Sequence, residues 1–211
     1  MKESTSKEKI FKNIRNALVD KLDERQFDVD FSKSIYTKSE DPLEIQFAKN
    51  FTSVNGKFIF CESINEFSEN IKLIYNKLKW DNVICLEEEI GKIIPSELKY
   101  SPNMQNLKNI DVAITSCEFL VSRLGSVMVS SAQLKSRQLF IYAPIHIVVA
   151  YTSQLVYDIS DALDGIKNKY QKKLPSLITN ITGPSRTADI EKTLILGAHG
   201  PREIYVFLID N

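Results

Sequence analysis

The fold this sequence predicts is an α/β domain: a three-layer α/β/α arrangement with a mostly parallel sheet and one antiparallel hairpin. Three observations predict it. Apolar strand-like runs alternate with segments of helical periodicity. The connections are short, so neighbouring strands are joined through crossover helices, which makes them parallel and the crossovers right-handed. One pair of runs, 119–122 and 126–130, is separated only by Arg123-Leu124-Gly125 and reads as a hairpin.

Taken in order, residues 5–22 place Ile10, Ile14 and Leu18, with Phe11, Ala17 and Leu22 beside them, on one face of an amphipathic helix. That face is expected to pack on the domain or on a partner. Asp23 to Glu40 is polar, with Phe27, Phe31 and Tyr36 as isolated anchors, and reads as a linker or extended arm able to reach a second subunit. Residues 1–40 are thus an arm, 41–211 a single α/β domain, and a homo-oligomer is one expected assembly. Asp41-Pro42 opens a helix carrying Leu43, Phe47, Phe51 and Val54 inward, and Asn55-Gly56 stops it.

Strand Lys57 to Cys61, helix Ile64 to Lys79 and strand Asn82 to Leu86 form the first parallel unit. Glu87-Glu88-Glu89 follows, as a solvated helix start or, less simply, as paired carboxylates for a metal or for acid–base work. Pro95 and Pro102 prevent a long helix between 90 and 109, and the pattern there assigns no element. Strand Ile110 to Thr115 ends in Ser116-Cys117-Glu118, short polar side chains placed to face a cleft at the carboxyl edge of the sheet. Ser136-Arg137 precedes Leu139 to Ala143. Ile145 to Tyr151 is a buried strand interrupted by His146, a residue expected in the core. A helix over Gln154 to Tyr170, capped by Ser153, reads as scaffold.

Twenty-seven basic and twenty-seven acidic residues balance, so no general basic field exists to hold nucleic acid or an anionic membrane. The first twenty residues are broken by charges and no apolar run is long enough for a membrane span, so a cytoplasmic location is expected. Cys61, Cys85 and Cys117 are scattered, without a Cys-x-x-Cys pair. Such a set does not hold an iron–sulfur cluster by itself, and no cofactor is expected on this chain. His146 and His199 do not form a metal motif either.

The last stretch concentrates the chemistry. Leu177, Ile178 and Ile181 read as a strand stopped by Gly183-Pro184. The spacing of Ile190, Leu194 and Leu196 predicts a helix after it, capped by Ser185 or Thr187, with Asp189 and Glu191 in its first turn and Gly197 at its close. A helix start so placed offers free backbone N–H groups to a carboxylate or phosphate. Arg186 stands beside it, and Arg202 and Arg137 are further anion binders. The alternative is that Arg186 ties Asp189 or a chain terminus. His199, in the loop Ala198-His199-Gly200-Pro201, is the more exposed histidine and the better functional candidate. Strand Glu203 to Ile209 closes the chain.

Gly183-Pro184-Ser185-Arg186-Thr187-Ala188-Asp189-Ile190-Glu191, followed by Leu196-Gly197-Ala198-His199-Gly200-Pro201-Arg202-Glu203, resembles the C-terminal signature of the lactate-utilisation (LUD domain) family, in its protein C branch. The likeness extends to Pro144-Ile145-His146-Ile147-Val148-Val149 and Leu174-Pro175-Ser176, and weakens in the N-terminal half. The resemblance implies a fold like that of the ribose-phosphate isomerase, glucosamine-phosphate deaminase and CoA-transferase group. It also implies work beside iron–sulfur partners that oxidise L-lactate to pyruvate. One turn departs from the pattern. Where the family commonly shows Glu-Thr-Gly-Thr, this chain has Arg123-Leu124-Gly125-Ser126, so Gly125 is kept and the carboxylate is replaced by a cation. A CoA-transferase mechanism that needs that carboxylate loses support, and Arg123 is expected to favour an anion or pair with Glu118.

Three functions therefore stand side by side. The first is an accessory, cluster-free subunit of a lactate-oxidising iron–sulfur system, binding a small carboxylate or phosphate. The second is a stand-alone enzyme on a small carboxylated or phosphorylated substrate, against which the sequence offers no nucleophile–base pair. The third is a structural interaction module.

Overall fold

A computed structural model of the chain describes residues 5–19, 36, 39–103, 109–133, 138–190 and 193–211. The chain divides into two compact units, 1–38 and 39–211. In the first, helix α1 (Ser6–Val19) begins with a reciprocal cap: Thr5 Oγ1 accepts from Glu8 N–H, and Glu8 accepts from Thr5 N–H. Most of the expected linker lies outside the described residues.

The second unit follows the order α2 (Leu43–Ser53), β1 (Lys57–Cys61), α3 (Ile64–Leu78), β2 (Val83–Ile84), α4 (Glu88–Ile93), β3 (Val112–Thr115), β4 (Phe119–Val121) and β5 (Ser126–Ser130). It continues through α5 (Leu139–Tyr142), β6 (Ile145–Tyr151), β7 (Leu155–Val156), α6 (Ile159–Tyr170), β8 (Ile178–Ile181), β9 (Arg186–Ile190), β10 (Thr193–Leu196) and β11 (Glu203–Ile209). Five strands form a wholly parallel sheet in the order β1-β11-β6-β3-β2. Beyond β2, Ser101 adds a single parallel bridge to Ile84.

Both faces of this sheet are covered, as the near-continuous apolar runs of β6 and β11 require. On one face Phe67 and Ile71 of α3 and Ile90 of α4 pack against Ile147, Val149, Tyr205, Phe207 and Ile209. On the other, Phe47 and Phe51 of α2 meet Val148, Ala150, Val206 and Leu208, together with Leu120, Val127 and Val129 from a second sheet. That second sheet has the order β7-β4-β5-β8, and α6 closes its outer side through Ala162 and Ile166 against Val121 and Met128. The expected hairpin, β4–β5, is therefore the centre of a four-stranded layer rather than a lone insertion.

Two helices depart from expectation. The segment expected as a helix over Gln154 to Tyr170 starts with a 3-10 turn and β7, and α6 begins only at Ile159. Asp158, not Ser153, caps it, forming a reciprocal box with Asp161, while β7 is drawn into parallel pairing with β4. The helix expected after Gly183 is absent; Arg186–Ile190 and Thr193–Leu196 are instead an antiparallel pair of strands. Thr187, Ile190, Thr193 and Ile195 are β-branched, and their strand preference overrides the helical spacing of Ile190 and Leu194.

His146 of β6 is fully buried, with Nε2 2.8 Å from Thr115 Oγ1. The Thr115 hydroxyl directs its one proton to the Ser116 carbonyl at 3.0 Å, so Nε2 carries the hydrogen and donates to Thr115. Nδ1 is left as a buried acceptor without a partner. Burial holds the imidazole neutral, its pKa pushed down to about 4 from 6.5. A depressed histidine binds protons more readily in the unfolded chain. Its contribution is therefore complete above about pH 6.5 and is lost as pH falls from there toward 4. The expected slope is up to about 1.4 kcal/mol per pH unit. Urea titrations of the protein and of His146→Gln across this window measure it, and equal slopes would contradict the assignment.

Candidate functional site

The signature residues fall into two groups. The first is a cleft at the amino edge of the parallel sheet, where β6 and β11 begin side by side with Ile145 opposite Glu203. Its volume is about 400 Å³, and it is lined by Ile141, Tyr142, Pro144, Gly197, Ala198, His199, Gly200 and Arg202. Ser185 staples the loop that forms one wall: its N–H donates to Pro201 O at 2.8 Å and its carbonyl accepts from Gly197 N–H at 2.9 Å. Arg202 N–H donates to Pro144 O at 2.8 Å, fixing the loop to the entry of β6. Gly197 has φ +79°, and a Cβ there would lie 2.2 Å from Arg202 Cγ, so the absent side chain gives the Arg202 stem its place. Neither the His199 ring nor the Arg202 guanidinium forms an ion pair among the described residues, and both residues are exposed. A guanidinium and an imidazole left to solvent in one cleft suit an anionic group.

The second group surrounds the C-terminal end of α2. Gly183, φ +71°, sits where a Cβ would come 2.3 Å from the Val54 carbonyl oxygen. The same oxygen accepts from Arg186 Nη2 at 2.6 Å. With no helix following Gly183, Arg186 guards no helix start. It instead satisfies a carbonyl that α2 leaves without an internal partner, placing positive charge at the negative end of that helix. It forms no ion pair with the C-terminal carboxylate, and its other expected partners, the Asp189 side chain and the N-terminus, lie outside the described residues. Arg186→Ala is expected to cost about 1 kcal/mol, a fall of roughly 2–4 °C in melting temperature. An unchanged Tm by calorimetry would show the contact to be idle.

Gly125, in the β4–β5 turn, lies against Asn50 and Phe51 of α2 rather than in the cleft. Thr187 is half-buried in β9, opposite Ile195. Asp189 belongs to β9, and the position of its side chain, like Arg137 and Glu191 altogether, lies outside the described residues.

Arg123 neither awaits an anion nor pairs with Glu118. Its Nε and Nη2 donate to the two carboxylate oxygens of Asp158 at 3.0 and 2.7 Å, tying the hairpin to the start of α6. Asp158 is held below the usual carboxylate range chiefly by that hydrogen bond. Glu118, buried, accepts from Ser130 Oγ at 2.6 Å, Tyr170 OH at 2.7 Å and Lys169 Nζ at 2.8 Å. Burial alone would raise its pKa; the hydrogen bonds, led by Lys169, outweigh it and hold the carboxyl below the usual range. Burial likewise pushes the Cys117 thiol up, which leaves it unreactive.

Glu87 is the residue whose place the sequence concealed. It stands at the helix start as expected, at the N-cap of α4, and Glu88 and Glu89 stay exposed in the first turn, but its own side chain is half-buried. From the carboxyl end of β2 it reaches across to the end of β3, accepting Ser116 N–H at 2.9 Å and the Ser116 hydroxyl, while Gln133 Nε2 donates to the same hydroxyl. The expected polar cluster at the carboxyl edge is thus Ser116 with Glu87 and Gln133, whereas Glu118 turns inward. Glu87 also lines a separate cleft of about 390 Å³ with Glu88, Lys92 and Tyr100. Among the described residues no three of His, Cys, Asp and Glu gather as metal ligands, and no helix is long and apolar enough to cross a membrane.

Residues 82–209 match the LUD domain family. The chain is 30% identical to a lactate utilization protein C of Bacillus subtilis over 53% of its own length and 48% of the relative's. It is 28% identical to the protein of that name from Macrococcus caseolyticus over 76% of this chain and 70% of the relative. For most of the curated relatives it matches, the matched part spans about half of the relative's length. The crystal structure of a DUF162 family protein from Deinococcus radiodurans superposes with a TM-score of 0.62 at 17% identity, over 82% of this chain and 99% of that one, a likeness of fold.

Proposed function

From the premise that the chain belongs to the LUD domain family, we propose that it serves lactate utilisation as an accessory, cluster-free component whose amino-edge cleft receives an anionic group. The observation that carries the reading is the convergence of the family signature on that cleft: Ser185, Gly197 and Gly200 shape it, and His199 and Arg202 supply side-chain donors that no other described residue engages. The iron–sulfur clusters belong to partner subunits. Cys61, Cys85 and Cys117 are all buried, and none stands beside another potential ligand set among the described residues.

The stand-alone enzyme reading has one observation of its own, the Ser116 hydroxyl directed onto the Glu87 carboxylate. It predicts turnover by the isolated chain, which the accessory reading does not. The deciding experiment is deletion of the coding sequence in its host and growth on L-lactate as sole carbon source. Loss of growth, restored by the wild-type chain and not by Arg202→Glu, is the expected result. Normal growth of the deletion strain would refute the accessory role.

A further inference from the structure

We propose that the anion received at the amino-edge cleft is carried by a protein: an acidic side chain flanked by apolar residues on a partner polypeptide, seated on Tyr142, Ile141 and Arg202. This rests on the accessory reading above and names the partner chemistry of the same site.

Two large apolar side chains stand out of the surface here instead of in the core: Ile141 is 46% and Tyr142 59% exposed. They are gathered, not scattered. Neighbours in the chain, Ile141 and Tyr142 both line the cleft. Contiguous exposed apolar surface rimmed by polar groups marks a docking surface. Its charge is one-sided as well, since Arg202 carries a full positive charge that nothing in the described chain neutralises, with His199 beside it. The partner complementary to this surface therefore brings a carboxylate to Arg202 and apolar groups to Tyr142 and Ile141.

Tyrosine and arginine at the centre of a concave patch are the residue types that anchor protein interfaces. A free small carboxylate would use Arg202 and His199 and leave the apolar rim wet. Small ligands of open α/β sheets also settle at the carboxyl edge of the strands, and this cleft lies at the opposite end.

The test replaces Tyr142 with the photo-crosslinking residue p-benzoylphenylalanine in the full chain, expressed in its own host growing on L-lactate. Crosslinked peptides are mapped by mass spectrometry. The expected result is a crosslink to a segment of another protein holding Asp or Glu next to apolar residues. Its yield falls about tenfold or more when Arg202→Glu is added and is kept by Arg202→Lys. Three outcomes overturn the proposal: a crosslink unaffected by Arg202→Glu, a crosslinked segment without an acidic residue or belonging to a second copy of this chain, or no protein crosslink. A rise in melting temperature with L-lactate or inorganic phosphate that Arg202→Glu abolishes, without any crosslink, assigns the cleft to a free anion and also overturns it. Growth separates the two levels. A deletion strain that needs the chain on L-lactate but is fully rescued by Arg202→Glu removes the docking proposal alone, whereas one that never needs the chain removes the accessory reading beneath it.

Discussion

Gly125→Ala is expected to lower the stability of the domain by about 4 kcal/mol, the sum of roughly 1–2 for a left-handed backbone and 1–3 for overpacking. Gly125 has φ +59°, and an added Cβ would lie 2.3 Å from Phe51 N and 2.4 Å from Asn50 C, backbone atoms in the last turn of α2. Conformation alone is not decisive. Asn55 and Lys79 also have positive φ, at the ends of α2 and α3. The difference lies in what moves. To admit a methyl group at 125 the turn must leave α2, which breaks the two bonds from Asn50 Nδ2 to Ser122 O and Arg123 O and loosens Phe47 and Phe51 from Leu120 and Val127. A denaturant midpoint that falls with little change in slope would report this loss. A loss below about 1 kcal/mol would mean that the turn relaxes without parting from the helix.

Glu118→Ala is expected to cost about 3–4 kcal/mol, near the lower end for breaking a buried ion pair because half-exposed Lys169 can turn to water. The Ser130 and Tyr170 hydroxyls then lose their shared acceptor. Glu118→Gln keeps that acceptor and the shape, so a smaller loss of about 1–2 kcal/mol follows. The pH dependence has a definite sign. With its folded pKa below the ordinary carboxylate value, Glu118 contributes stability that is complete above about pH 4.5 and disappears as pH falls through the lower folded value. Glu118→Gln should therefore flatten the acid limb of the stability curve. An equal acid limb in mutant and wild type would contradict the ion pair.

How far the sequence could be read follows from what kind of force shapes each element. β6 and β11 run Ile145–Tyr151 and Glu203–Ile209, the spans that their apolar runs predict, because strands buried on both faces have little choice of boundary, and the half-buried edge strand β1 also keeps its predicted span Lys57–Cys61. Helices α2 and α3 follow their stripes for the same reason. The β9–β10 segment was illegible because a short amphipathic pattern containing β-branched residues satisfies both periods. Pairing of Thr187 with Ile195 decides between them, and that is a tertiary fact.

Of the candidate site, the signature loop and the exposure of His199 and Arg202 could be anticipated. The roles of Arg186 and Arg123 could not, since Val54 lies 132 positions from the one and Asp158 lies 35 positions from the other. Glu87 was hidden for a related reason: three successive glutamates look alike in sequence, and only the first has Ser116 opposite it.

The strand order of the parallel sheet also governs when the domain can form. β1 is the first of the described strands to be made, yet its only partner among them is β11, the last of them; Lys57 and Tyr205, joined across that pair, are 148 positions apart. During synthesis β1 therefore leaves the ribosome with Phe58 and Phe60 exposed and waits until Glu203–Ile209 has been made. The closing contact joins residues 148 positions apart, so the rate of folding is set by a late, entropically costly loop closure. A nascent chain arrested before Glu203 has a complete β6 but no bridge to β1, and is held from aggregation by whatever binds its open strands until the last seven-residue strand arrives.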